Sequence, residues 1–275
     1  MIWEYEIDGQ TVSSEAESLV LSSTEGLEDA LRYLPELKQL DLLQCTVSTE
    51  QMDVFSTLRP DVDFLWLVSF GNWQVRSDIS CFSTLRTGSE HSHRYTSEEL
   101  YPLLRYCRKL RALDLGHNDL SDISLIGEMP QLQVLILADN PNLKDISPLG
   151  KLKELHYLEL FLCWEIEDFS CLYELEKMQD LNLSYCRKLS DISFIDNMPD
   201  FRMGWFRDTS VSREQVDYYD ELLENADFLA GSPVDPSSVC YGWRSTERNL
   251  FIRNAFTRWR EVVEYRHWTD IEYMD

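Results

Sequence analysis

Residues 110–120 read LRALDLGHNDL, residues 132–143 read LQVLILADNPNL, residues 155–166 read LHYLELFLCWEI and residues 178–189 read MQDLNLSYCRKL. One phrase runs through all four. Leu110, Leu113, Leu115, Asn118 and Leu120 open it; Cys163 and Cys186 later stand where the first two copies carry Asn118 and Asn140. A decayed copy begins at Phe201, with Phe206 and Thr209 in place. The first positions, 110, 132, 155, 178 and 201, lie 22 or 23 residues apart, which is the mark of a repeat architecture.

The physics of the phrase is short. In Leu113-Asp114-Leu115 the leucines alternate with a polar residue, so both face one side of a strand. A lone strand cannot bury that side. Stacked copies share a dry interior, and each fully buried leucine is worth about 1.5–3 kcal/mol. The Asn or Cys position falls where the chain leaves the strand. An amide there satisfies backbone groups, and a thiol fills the same site as a small, weakly polar side chain, structural rather than reactive.

A second phrase repeats behind the first: Asp122-Ile123-Ser124, Asp145-Ile146-Ser147, Asp168-Phe169-Ser170 and Asp191-Ile192-Ser193, each followed by an apolar residue, at Ile126, Leu149, Leu172 and Ile195. Together the two phrases resemble the leucine-rich repeat, L-x-x-L-x-L-x-x-N/C-x-L, in the short class of bacterial internalin-like proteins. That resemblance implies an α/β fold, a right-handed β-α solenoid with a curved parallel sheet inside, short helices and turns outside, and helical end caps. It also implies a protein-binding role. Relatives with this phrase include cell-surface and secreted binders and intracellular scaffolds.

The amino-terminal half carries the plan in longer form. Leu37, Leu40, Leu42 and Cys45 repeat the strand phrase, and Val62, Leu65 and Leu67 repeat part of it. An offset of 48 residues sets Leu65 on Leu113, and an offset of 164 sets Ser48 on Ser212, Gln51 on Gln215 and Phe64 on Phe228. Helices are expected from Ser48, Ser97 and Ser212, and over Ser23–Leu34. The array is expected from about residue 19 to about 230 inside a solenoid of residues 1–230. Residues 68–94 fit no register; Phe82 and Leu85 are candidates to open a strand there, and TGSEHSHRY reads as a loop.

The stretch GSPVDPSSVCYG at 231–242 is a turn-rich linker. Beyond it, Ser245–His267 reads as an amphipathic helix with Ile252, Ala255, Phe256, Trp259, Val262 and Val263 on one face, expected to cap the stack. Six Arg against three Glu between Trp243 and Trp268 make this segment +3, although the 275-residue chain carries −24. The rest of the chain is therefore −27. Such a body disfavours nucleic acid and anionic membranes and favours basic partners. No apolar run is long enough to span a membrane. MIWEYEIDGQ has no basic or apolar leader character, which points to the cytoplasm if the chain is complete and to the cell surface or secretion if a leader precedes it.

Catalytic signatures are lacking: there is no Gly-rich phosphate loop, G-x-S-x-G or H-E-x-x-H. Seven cysteines without a Cys-x-x-Cys pair form neither a zinc knuckle nor a disulfide framework. His91-Ser92-His93 beside Glu90 is a weak metal candidate, and His117, His156, Cys240 and His267 have no nucleophile or base partner by spacing. No cofactor is expected. The expected function is a non-catalytic protein- or peptide-binding module. An assembly or adhesion component working through its outer face or tail helix is the alternative, and an enzyme comes third. Binding would use the residues between the core leucines on the concave face: Phe64, Trp66, Asp114, Ile136, Tyr157, Glu159, Phe161, Asn182, Tyr185 and Trp205. So apolar a face is not expected to stand open without a reason.

Overall fold

The first residues pair with each other before any repeat begins. Strands β1 (Glu4–Ile7) and β2 (Gln10–Ser13) form an antiparallel hairpin. Its turn, Asp8-Gly9, has positive φ at both residues, which is the twist a two-residue hairpin turn needs. The computed structural model describes residues 2–71, 73–84, 93–223, 226–230 and 242–261. They fall into two compact units, one running to Asp78 and including Tyr101–Arg108, the other Ile79–Leu100 with everything from Lys109 on.

In the first unit, β3 (Ser18–Val20), helix α1 (Leu27–Tyr33), β4 (Gln39–Asp41), helix α2 (Thr49–Leu58) and β5 (Asp63–Leu65) build a three-stranded parallel sheet in the order β3-β4-β5. Leu19 stands beside Leu40 in this sheet. Helix α2 starts at the expected serine: Ser48 accepts from the Gln51 backbone and the Gln51 side chain accepts from Ser48 N, a capping box.

One register differs from the expectation. Leu40 aligns with Phe64, not Leu65. Phe64 and Trp66 are therefore core residues, and Leu65 and Leu67 are the half-buried ones. Phe64 and Trp66 stack at 4.9 Å, and Phe55 and Tyr106 close around them. The segment without a register opens with a second hairpin, β6 (Leu67–Phe70) with β7 (Trp73–Arg76), followed in this unit by α3 (Tyr101–Tyr106).

The second unit holds the regular repeats. Strands β8 (Cys81–Ser83), β9 (Ala112–Asp114), β10 (Val134–Ile136), β11 (Tyr157–Glu159), β12 (Asp180–Asn182) and β13 (Met203–Trp205) line up in chain order. After helix α4 (Arg213–Leu222), β14 (Asp227–Leu229) completes a seven-stranded parallel sheet. Phe82, Leu113, Leu135, Leu158 and Leu181 occupy one row. Phe82 thus stands at the fourth position of the phrase, not the first. Gly204 continues the row where a leucine belongs. Phe206 and Phe201 fill the room, and a Cβ on Gly204 would lie 2.5 Å from the Phe206 ring.

The connections in the middle repeats are 3-10 turns at Ile126–Glu128, Ser147–Lys151, Ser170–Glu174 and Ser193–Asn197. The recurring aspartates initiate them: Asp122, Asp145, Asp168 and Asp191 each accept the N–H of the serine two residues on, at 2.8–3.1 Å. The Asn/Cys row works as the phrase requires. Asn140 Nδ2 donates to Leu115 O at 3.0 Å in the preceding repeat, Cys163 Sγ to Leu137 O at 3.2 Å, and Cys186 Sγ to Leu160 O at 3.3 Å. Burial pushes the Cys163 thiol up to about 12 and raises that of Cys186 as well. Both are held as thiols and are poor nucleophiles.

The tail helix is α5 (Glu247–Glu261). Its apolar side packs with Trp243 against the face of the sheet opposite the leucines.

Candidate functional site: the sheet face under the tail helix

Side chains on either side of a leucine in a strand point away from it, so β9–β13 present a second face. It carries Ala112, Val134, Ile136, Tyr157, Glu159, Asp180, Asn182 and Trp205, the expected concave positions. The same chain supplies a cover for it. Trp243, Ile252 and Phe256 form one buried cluster with Cys81, Ala112, Val134, Ile136, Tyr157 and Trp205. Trp243 leans on Tyr157 at 5.6 Å and meets Trp205 edge-on at 5.4 Å. Gly242 is required for that approach, because a Cβ there would lie 2.7 Å from the Trp205 ring.

Polar groups anchor the helix between the aromatic contacts. Asn249, with no exposed surface, donates to Tyr157 Oη at 2.6 Å and to Glu159 Oε1 at 2.9 Å, and the Tyr157 hydroxyl donates to the same carboxylate. Arg253 Nε donates to Asn249 Oδ1 at 2.9 Å, with its guanidinium 3.8 Å from Glu159. Arg248 pairs with Asp180 at 3.1 Å, and the two side chains are only 8% and 4% exposed. Burial drives the Asp180 carboxyl up to about 6, against the pull of Arg248 and Arg202. Each of these buried groups is costly unless its partner is present, so the contacts fix where along the helix each strand is met.

The ten expected binding residues therefore fare differently. Phe64 and Trp66 belong to the core of the first unit. Asp114, Ile136, Tyr157, Glu159, Phe161, Asn182, Tyr185 and Trp205 all lie in the second unit and all are buried. Ile136, Tyr157, Phe161, Tyr185 and Trp205 share the cluster with the helix, and Glu159 binds Asn249. Asp114 and Asn182 bond within the repeats, Asp114 also accepting from Ser83 Oγ on β8 at 3.0 Å. Each accepts the N–H two residues on, at Gly116 and Ser184, closing the turn off the strand. Sequence reasoning does not single out Arg248, Asn249 or Trp243. The six arginines of the tail are the available signal, but composition does not say which carboxylate each one meets.

The eighth position of the phrase has its own character. His117, Asp139, Leu162, Tyr185 and Asp208 all have positive φ, a left-handed turn repeated five times without glycine. His117 Nδ1 lies 2.8 Å from Asp139 Oδ2, and its Nε2 lies 3.4 Å from Arg244. Burial works against the Asp139 carboxylate, but hydrogen bonds from His117 and Arg94 outweigh it and hold its pKa below the usual range. This His–Asp pair turns its other nitrogen to an arginine, not to a nucleophile. His156, half-buried, has its pKa lowered by burial. His93 faces Glu99 at 2.8 Å, while His91, Cys240 and His267 lie outside the described residues. Among the described residues, no helix is long and apolar enough to cross a membrane.

The family described as leucine-rich repeats (2 copies) matches residues 108–151. No curated protein matches the chain. Similar solved structures include internalin C2 of Listeria monocytogenes, 18% identical, covering 82% of this chain and 86% of that one with a TM-score of 0.40. The functional domain of InlJ from the same organism, described as including a cysteine ladder, is 13% identical over 73% of this chain and 41% of its own, with a TM-score of 0.36. A TLR13–ssRNA13 complex is 17% identical over 86% and 35%, with a TM-score of 0.34. The expectation of no nucleic-acid ligand rests on charge alone. With its phrase repeated at 22 or 23 residues, its rows of stacked leucines and this family match at residues 108–151, the chain folds as a leucine-rich-repeat solenoid whose phrase is similar to that of the short, internalin-like class.

Proposed function

We propose that the chain is a non-catalytic protein- or peptide-binding module that works through the concave face of its repeat sheet. One observation carries this reading: the face opposite the leucines accepts a polypeptide helix, with apolar contacts and buried polar anchors interleaved. Aromatic side chains such as Tyr157 and Trp205 are the residue types that dominate interface energetics, and carboxylates beside them select a basic partner. The alternative, assembly through the tail helix, has less support, because Trp243, Ile252 and Phe256 are already buried.

The test is to select peptides from a random library on the full chain and map where they protect backbone amides from hydrogen exchange. Protection concentrated at 134–136, 157–159, 180–185 and 203–205 is expected. Protection confined to the 3-10 turns on the opposite side would overturn the reading.

A further inference from the structure

We infer that the sheet face under α5 is a docking site for an arginine-bearing amphipathic helix of another protein, and that residues 242–261 are its resident occupant. The inference rests on the binding reading above and names the partner's chemistry.

Three observations carry it. First, the repeats do not depend on this helix for their interior. Leu113, Leu135, Leu158 and Leu181 have no exposed surface, and they lie on the other side of the strands from the cluster that holds Ile252 and Phe256. Second, the face is charged to receive cations. Asp180 and Glu159 lie on neighbouring strands and meet Arg248 and Arg253 from successive turns of one helix. A surface designed only to be sealed gains nothing from buried carboxylates, since apolar residues of similar volume seal as well or better. Third, the resident helix leaves the face incompletely satisfied. Trp205 Nε1 is buried and has no acceptor among the described residues. A helix that supplies one has an advantage over the resident.

The ligand class follows from these contacts. It is an amphipathic helix with an indole or similar ring at its start and arginine and a carboxamide five and six residues on. A branched aliphatic and an aromatic residue follow at the spacing of Ile252 and Phe256. Because the site is filled, such a partner binds only by displacing α5.

The probe is a fluorescein-labelled peptide with the sequence of residues 242–261, added to the full-length chain. Wild-type protein is expected to bind it weakly. I252D/F256D, whose own helix no longer fits, is expected to bind it at least tenfold more tightly. Replacing both Arg248 and Arg253 of the peptide by Gln is expected to cost at least tenfold in affinity.

Asn249→Asp, nearly isosteric and set against Glu159, is the second variant, in case two aspartates disturb folding. Equal binding to wild type and variants, or equal binding of the arginine-free peptide, would sink the inference. Loss of the cooperative unfolding of the repeats in both variants would also sink it, by making α5 part of the core. A concentration-dependent wild-type dimer that either variant abolishes would assign the helix to a second copy and overturn it likewise. If this peptide fails while selected peptides still protect the face, only the partner's chemistry is wrong; if no peptide protects the face, the binding reading falls with it.

Discussion

The two faces of strands β9–β13 are both buried, but by different means. On one, leucine meets leucine from the next turn, and the same residue type recurs in Leu113, Leu135, Leu158 and Leu181. On the other, the row reads Ala112, Val134, Tyr157, Asp180 and Met203, with no two alike, and its cover comes from a helix more than forty residues away in sequence. Repetition builds the first face, because every copy must fit its neighbour. Variation marks the second, because each strand meets a different part of one non-repeating helix. The difference teaches that the periodic residues encode the scaffold and the aperiodic ones encode what sits on it.

The comparison breaks most visibly at Leu158. Leu158→Asp puts an unpaired charge into the shared leucine interior and is expected to unfold the central repeats, a loss of more than about 4 kcal/mol. Urea unfolding followed by circular dichroism checks it; a cooperative transition at the wild-type midpoint would show that the leucine row is not the scaffold. On the other face, Phe256→Ala removes a ring that is 4% exposed. It should cost the docking of α5 about 3 kcal/mol while the repeats keep their transition. The emission of Trp243 is the readout, shifting to longer wavelength as the indole meets water.

How far the sequence can be read follows the same division. Between Leu110 and Leu183 the register is legible, because four copies agree on which residue of each alternation is the leucine. At Phe64-Leu65-Trp66-Leu67 every residue is apolar, so period two is satisfied by either phase. The offset of 48 puts Leu65 inside, whereas the offset of 164, which pairs Phe64 with Phe228, has the right phase: both stand in the leucine row. The β6–β7 hairpin carries a signal in Val68, Phe70 and Val75 alternating around Gly71-Asn72, hidden by the search for another repeat. The tail is legible as an amphipathic helix, and as one of two candidate covers for Phe64 and Trp66, but not as the cover of β9–β13. An apolar stripe states that a helix needs a partner surface, and nothing local states which. The polar residues between paired leucines look alike in sequence, yet Asp114 and Asn182 close turns whereas Glu159 grips the helix.

Within the second face, polar anchors and apolar contacts can be separated. Asn249→Ala leaves the Glu159 carboxylate without its amide donor and should weaken docking by about 2 kcal/mol, as expected for stranding a buried polar group. Asn249→Gln, which keeps the amide but lengthens the arm, should recover part of it. Hydrogen-exchange protection of residues 247–256 against that of 134–136 is the measurement. Equal loss of protection in both segments would mean that helix and repeats open together, and the two faces would no longer be independent.

The smallest effect is the most specific to the charge on this face. Asp180 titrates near 6 while docked, because burial disfavours its charge more than Arg248 and Arg202 favour it. Freed into water it returns toward about 3.9. Its pKa is thus raised in the docked state. That state gains stability as the pH falls through about 6, and the gain is complete only below the free value. Between pH 7 and pH 5 the gain is roughly 1 kcal/mol, in favour of docking at the lower pH. Asp180→Asn removes the titrating group and should flatten this slope, whatever it does to docking at a fixed pH. The comparison with the variant subtracts whatever other groups titrate in the range. On the leucine face no residue titrates in this interval, so the unfolding midpoint of the repeats should not follow the same curve. A wild-type slope of opposite sign, or one that Asp180→Asn leaves unchanged, would mean that the carboxylate under Arg248 is not desolvated by the helix, and that the tail does not seal the sheet.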